Sequence, residues 1–262
     1  MQVTISNIAW TVADDLRMYE LLQARNIRGL EIAPTRIFGN QPYDDLNNVA
    51  TIKEQLKDNF NLNIISLQSI CFGVTASIFE NEAEKDIIKK HLKKAIDFAA
   101  VLDCPNLVFG SPKNRIIKEG QYQEAVSFFS EIGEYAHAQN TILAIEPNPK
   151  IYGTNFINTT KEAIGFLKDC QCRGLKINYD FGTVIENGED MKLLTENPDF
   201  IHHVHISEPY LEPILKRSEH KQLAEILKAI DYRNYVSIEM KNGLSFEQLQ
   251  EKLNYIQDVF QV

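Results

Sequence analysis

Short apolar runs recur along the chain, each followed by a longer stretch in which apolar residues fall three and four apart. The runs at 3–8, 29–32, 63–68, 106–109, 142–146, 175–180, 201–207 and 235–239 read as strands. The stretches at 14–24, 45–57, 82–102, 121–138, 160–168, 191–195, 221–229 and 246–259 read as amphipathic helices. Start signals support two of them. Ser245-Phe246-Glu247-Gln248 has the spacing of a capping box, and Asn158 or Thr159 can cap the helix carrying Lys161 and Glu162.

Eight alternating strand-helix units with strongly apolar strands predict a parallel sheet covered by helices, and eight such units close a (β/α)8 TIM barrel. A doubly wound open sheet is the alternative, but the first turn lacks the glycine-rich signature that would support it. No Pro/Gly/Ser-rich linker or internal repeat divides the chain, so residues 1–262 are expected to form one α/β domain.

Charge narrows the partners. A net charge of −9 argues against nucleic acid, which is bound by Lys and Arg neutralising phosphates, and favours a small molecule. There is no membrane-length apolar run and no signal-peptide pattern, and a cytoplasmic protein without a membrane partner is expected. The four cysteines fit free thiols, because Cys170 and Cys172 have no second pair nearby to complete a zinc site. Assembly into a homo-oligomer is compatible with the sequence.

The candidate chemistry lies at strand ends. In Ile201-His202-His203-Val204-His205-Ile206 the alternation puts His203 and His205 on one face, where unpaired imidazoles would be costly without a metal, a carboxylate or water. Glu146, Asp180 and Glu239 end three other strands, each about one strand-helix-strand unit, roughly 30 residues, from the next member of the set. Singly, each has a plain alternative: Glu146 can accept loop amides, Asp180 can head a turn, and Glu239 can pair with Lys241. In a barrel they come from four consecutive strands and converge on the carboxyl-end rim, where barrel active sites sit. Three carboxylates sharing a rim raise one another's pKa unless a cation neutralises them. One imidazole with three carboxylates suits one divalent ion, Mn2+ or Mg2+ ahead of Co2+ or Zn2+.

Further rim residues are candidates for substrate contact. Trp10, Glu31 and Gln68 end strands one to three, and Lys113 and Arg115 after strand four offer a clamp for a phosphate or carboxylate. His203 can orient a ligand from behind. His220 falls in the loop after strand seven and is expected at the surface.

Glu146 in Ala-Ile-Glu-Pro-Asn, Asp180, His205 in His-Val-His-Ile-Ser-Glu and Glu239 in Val-Ser-Ile-Glu-Met resemble the metal site of the sugar phosphate isomerase/epimerase superfamily. This xylose-isomerase-like barrel group includes ketose 3-epimerases, hydroxypyruvate isomerases, inosose dehydratases and metal-dependent apurinic endonucleases. The resemblance covers essentially the whole chain. It implies that Glu146 and Glu239 bind the metal and also act on substrate, while Asp180 and His205 are ligands. Ketose epimerases commonly carry a histidine three residues after the aspartate and an arginine about six after the histidine, where this chain has Thr183 and Leu211. The missing histidine and the acidic charge also weaken an endonuclease reading.

The chemistry follows from the site as well. A metal chelated by a carbonyl and an adjacent hydroxyl acidifies the C–H between them and stabilises the enediolate, and two carboxylates can then act as base and acid. The expected activity is isomerisation or epimerisation of a small sugar or sugar-like hydroxycarbonyl compound. A dehydratase acting on a cyclic polyol is the enzymatic alternative. A sugar-binding protein is the non-catalytic one, and it would not need two acid/base glutamates. Asp180-Phe181-Gly182 spells a kinase magnesium motif without its companions, and no Walker, G-x-S-x-G or H-E-x-x-H motif is present.

Overall fold

A computed structural model describes residues 1–261. Its strands are β1 (Gln2–Ile5), β2 (Gly29–Ile32), β3 (Asn63–Leu67), β4 (Asn106–Phe109), β5 (Ile142–Ile145), β6 (Leu175–Asp180), β7 (Ile201–Ile206) and β8 (Tyr235–Ile238). They form one eight-stranded parallel sheet in which β1 pairs with β8 and the order then runs back from β8 to β2. A bridge between Ser6 and Glu31 joins β1 to β2, bringing the sheet round into a nearly closed (β/α)8 barrel.

The helices are α1 (Asp15–Ala24), α2 (Pro34–Phe38), α3 (Asn47–Phe60), α4 (Glu82–Val101), α5 (Tyr122–Ala138), α6 (Thr160–Cys170), α7 (Phe181–Asn187), α8 (Leu193–Glu196), α9 (Ser218–Ala229) and α10 (Phe246–Phe260). The longer ones bury one stripe against the sheet. In α5 that stripe is Ala125, Phe128, Phe129, Ile132 and Ala136, and Phe129 packs edge-on against Phe109 of β4. Ser245 and Gln248 form the capping box of α10, and Thr159 accepts the Glu162 N–H at the start of α6.

Two short helices depart from the sequence expectation. α2 follows β2 directly, with Pro34 in its first turn. α7 starts at Phe181, where a turn was expected, because the Asp180 side chain accepts the Thr183 N–H at 2.6 Å and caps it. Gly182 and the β-branched run Thr183-Val184-Ile185 weaken the helical signal there. His220 is also displaced from its expected place. It lies on α9, fully buried against Phe181, with Nδ1 3.0 Å from the Tyr255 hydroxyl.

The barrel interior is polar. Thr4, Glu31, Ser66, Asn106, Asn178, His203, His205 and Ser237 are all buried. An unpaired polar group there costs on the order of 1–3 kcal/mol, so Thr4 donates to the Gly29 carbonyl at 2.6 Å and the others bond one another across the strands. Asn106 donates to Ser66 at 2.9 Å and Ser237 donates to Glu31 at 2.9 Å.

Candidate metal-binding active site

The four strand-end residues converge. Glu146 and Glu239 each lie one residue beyond a strand, but their backbone N–H groups still donate into the sheet, to Phe109 O at 3.1 Å and Ile206 O at 2.9 Å. Their carboxylates therefore leave anchored backbone. Asp180 ends β6, and its register partner in β7 is His205. One ligand atom from each of Glu146, Asp180, His205 and Glu239 lies within 4.8 Å of all the others.

His205 Nδ1 sits 3.1 Å from Glu146 Oε1 and 3.1 Å from Glu239 Oε2. Its other nitrogen, Nε2, is 3.0 Å from Glu31 Oε2, which also takes His203 Nε2 at 2.9 Å. Glu31 thus fixes the ring from below and turns Nδ1 towards the carboxylates. A lone pair on Nδ1 facing two carboxylate oxygens is repulsive unless a proton or metal ion lies between them. The donor set therefore fits a divalent cation, which would take the place of protons held by the free protein.

The electrostatics agree. Burial and the neighbouring Glu146 charge push Asp180 up to about 6. Burial lifts Glu239 to about 7, against His205, with Glu146 and Asp180 adding to the rise. For His205 burial acts downward, yet Glu239 and Glu31 hold the imidazole well above its ordinary range. Burial would likewise raise Glu31, but His205 and His203 hold its carboxyl well below the ordinary range. The cluster wants positive charge.

Neighbours hold the carboxylates in place. Asn178 Nδ2 is 2.7 Å from Glu146 Oε1 and 3.0 Å from His205 Nδ1. Asn148 donates to Glu146 Oε2 at 3.2 Å. Ser207 donates to Asp180 Oδ2 and accepts the Gly182 N–H at 2.9 Å. At Gly110 a Cβ would lie 2.0 Å from Glu146 Oε2, so that carboxylate occupies space only glycine leaves free. Asn178, Asn148 and Ser207 were not singled out from the sequence. Asn178 had a signal, two residues before Asp180 on the same strand. Asn148 lies in a loop, whose path the pattern does not reveal, and Ser207, read as the last residue of strand seven, lies one residue beyond β7.

The other expected contacts fall in four different places. Gln68 and Lys113 line a cavity of about 540 Å3 that ends at Glu146 and Glu239. Glu31 and His203 lie beneath the site and do not reach the cleft. Trp10 is 2% exposed, with its indole N–H on Asp15 at 2.7 Å, and lines no part of the cleft. Arg115 is fully buried. Its Nη2 donates to Glu146 O at 2.7 Å and Asn148 Oδ1 at 2.8 Å, and burial lowers its pKa to about 10. The pairing of Lys113 with Arg115 as an anion clamp is corrected by this placement: Lys113 lines the cavity, whereas Arg115 is buried away from it and props the Glu146 backbone. Thr183 is 1% exposed and donates to Pro147 O at 3.0 Å.

No curated protein matches the chain. Among solved structures, its fold is similar to that of 3-keto-D-glucoside 4-epimerase YcjR from E. coli, with a TM-score of 0.77 and 18% identity over 100% of both chains. D-psicose 3-epimerase from Clostridium cellulolyticum H10 aligns with a TM-score of 0.82 and 16% identity over 99% of both chains. A family 2 AP endonuclease from Brucella melitensis aligns with a TM-score of 0.71 and 21% identity, over 94% of this chain and 96% of that one. At these identities the likeness is one of fold. Residues 19–259, a span that holds all four converging side chains, match the family described as xylose isomerase-like TIM barrel, and the chain belongs to that family.

Proposed function

We propose that this protein is a divalent-metal-dependent isomerase or epimerase acting on a small sugar or sugar-like hydroxycarbonyl compound. The observation that carries the reading is the placement of Glu146 and Glu239 against the same nitrogen of His205, Nδ1, each with its side chain about one-tenth exposed, at 12% and 11%, where the cleft begins. Glu146, Asp180, His205 and Glu239 would hold the ion, and their mixture of one nitrogen with three carboxylates favours Mn2+ or Mg2+ over Co2+ or Zn2+. When bound, the ion supplies electrophilic polarisation of a carbonyl and its neighbouring hydroxyl, which acidifies the C–H between them.

The protein's own groups then have distinct tasks. Glu146 and Glu239 enter from β5 and β8, so their carboxylates approach a bound substrate from different directions, one taking a proton and the other returning one. Asp180 is tied down by Ser207 and Thr183, which suits a ligand rather than a mobile base. Asn178 and Glu31 keep His205 in one orientation. The sugar epimerases among the structures of similar fold support the substrate class.

The test is to load the purified protein with Mn2+ and incubate it with a panel of ketoses and aldoses in D2O. Conversion with deuterium at the carbon next to the carbonyl is expected. Conversion that survives complete removal of metal, or conversion without label for every substrate, would overturn the mechanism.

A further inference from the structure

The amino-terminal end of the barrel, opposite the candidate metal site, holds a cavity of about 740 Å3. β1 begins there, between β8 and β2. Arg25 and Arg28 reach the cavity from the turn that joins α1 to β2, and Lys228 and Arg233 reach it from the end of α9 and the turn into β8. Barrel closure alone brings these two pairs together. The strands between are four to six residues long, so at about 3.3 Å per residue the cavity lies roughly 13–20 Å from the four converging strand-end side chains.

The sign of the charge reverses here. The chain has 27 Lys and Arg against 36 Asp and Glu, yet four cations and one carboxylate, Asp231, line this cavity, a net of +3. Part of that charge has a structural use. α1, α9 and α10 all end at this side, and the C-terminal end of a helix, carrying about −0.5, favours a cation. Lys228 lies in the last turn of α9 and fits that role. Three helix ends offset only about half of the net +3.

The arginines are turned elsewhere. Arg25 Nη1 donates to Asn254 Oδ1, and Arg28 Nε donates to Asn26 Oδ1 at 3.3 Å. An amide oxygen orients a guanidinium without neutralising it, and in Arg28 it leaves both Nη nitrogens without a protein partner among the described residues. Lys228 is exposed and makes no hydrogen bond or ion pair among the described residues. Arg233 pairs with Asp231, but both are largely exposed, at 76% and 73%, and such a pair is worth little in water. The cations therefore repel one another across a shared space with one carboxylate to relieve them.

A phosphate group supplies the missing charge, since guanidinium Nη pairs and an ammonium are the donors that hold one. The remainder of the ligand is set by the cavity. Its volume falls within the roughly 300–1,000 Å3 of small-molecule sites, and Ile27, Tyr232 and Phe260, each buried, give it an apolar wall. We infer that the amino-terminal end of the barrel binds a phosphate monoester of a small metabolite, with Arg25, Arg28 and Lys228 on the phosphate. This site is separate from the candidate metal site and stands whether or not the isomerase reading holds.

The test uses adenosine 5′-monophosphate and glycerol 3-phosphate, which have no aldehyde or ketone and so are not substrates of the proposed isomerase. Adenosine, glycerol and inorganic phosphate are the controls. Each is titrated into the full-length protein at constant ionic strength and followed by calorimetry and backbone amide NMR. Both esters are expected to bind with Kd below about 1 mM, at least about tenfold more tightly than the parent alcohols, and to shift the amides of residues 25–28 and 228–233. Arg28→Ser combined with Lys228→Ser should weaken ester binding by at least about tenfold and abolish the rise in melting temperature that the esters give the wild type. Lys57→Ser combined with Lys161→Ser, which removes two exposed lysines on α3 and α6, should change neither. No binding at about 10 mM, equal affinity for ester and parent alcohol, equal losses in the two double variants, or amide shifts confined to residues 110–113 beside the catalytic cavity overturns the assignment. Inorganic phosphate bound as tightly as the esters overturns the monoester and leaves only a free-ion site.

Discussion

The Glu31 carboxylate lies 3.0 Å from His205 Nε2 and so decides which nitrogen of that ring faces Glu146 and Glu239. With Nε2 held from below, the imidazole presents Nδ1 above, as a lone pair once its proton has been displaced. Replacing Glu31 by Ala removes that restraint and the acceptor for His203 as well. Metal affinity is expected to fall by about 10- to 100-fold, the range found for partners that orient metal-binding histidines. Metal titration of the variant checks this, and unchanged affinity would mean that His205 is held by packing alone.

Protons and metal compete for the same atoms. Glu239, raised to about 7, and Asp180, raised to about 6, are partly or wholly protonated in the metal-free protein at mildly acid pH. His205 carries a proton as well. Binding must expel these protons, so metal affinity should weaken steeply below about pH 6, rise through the window from about 6 to 7 as Asp180 and Glu239 ionise, and go on rising above it until His205 loses its proton. Calorimetry in buffers of different ionisation enthalpy measures the protons released. Affinity independent of pH between 5.5 and 8 would contradict the competition.

The contrast between Glu31 and Glu239 shows what the sequence made legible. Strand periodicity gave all eight barrel strands to within a few residues, and with them the four strand-end side chains that meet at the rim. It also placed Glu31 at a strand end, but could not tell that its side chain turns into the barrel, where it bonds His203, His205 and Ser237. Trp10 was misjudged for a related reason. The chain leaves β1 through a short 3-10 turn, Asn7–Ala9, that carries the indole away from the cleft to Asp15. Loop paths depend on tertiary packing, so Phe72, Tyr152 and Tyr210, which line the cavities beside the site, gave no sequence signal.

Gly110 tests the steric demand of Glu146. An alanine methyl there would sit 2.0 Å from Oε2, and Glu146 must move to admit it. Gly110→Ala should fold, since the residue lies in a loop after β4, but lose about a hundredfold in turnover, the scale on which small misplacements of catalytic groups act. A normal rate with an unchanged melting temperature would show that Glu146 tolerates displacement.

Arg115 and Lys113 should behave as unlike residues. Arg115→Met leaves the Glu146 carbonyl and Asn148 Oδ1 without their donor, which should destabilise by about 1–3 kcal/mol. Lys113→Ala changes an exposed side chain and should alter stability by less than about 0.5 kcal/mol. Thermal melts of both variants decide it. If both instead keep wild-type melting and lose affinity for a phosphorylated sugar alone, the two form an anion clamp after all.

The role of Glu239 separates catalysis from binding. Glu239→Gln keeps the length of the side chain and one oxygen donor but removes the basic carboxylate, while Glu146, Asp180 and His205 stay in place. Metal affinity should drop modestly, and turnover by about 10²- to 10⁴-fold, the contribution of a positioned acid or base. The same glutamine also removes a charge from beside His205, whose pKa depends on Glu239, so proton release on metal binding should fall in the variant. A purely structural defect would lower metal occupancy and rate in proportion. A rate that collapses at full metal occupancy assigns Glu239 to proton transfer, and a fully loaded Glu239→Gln protein with wild-type turnover assigns that step elsewhere.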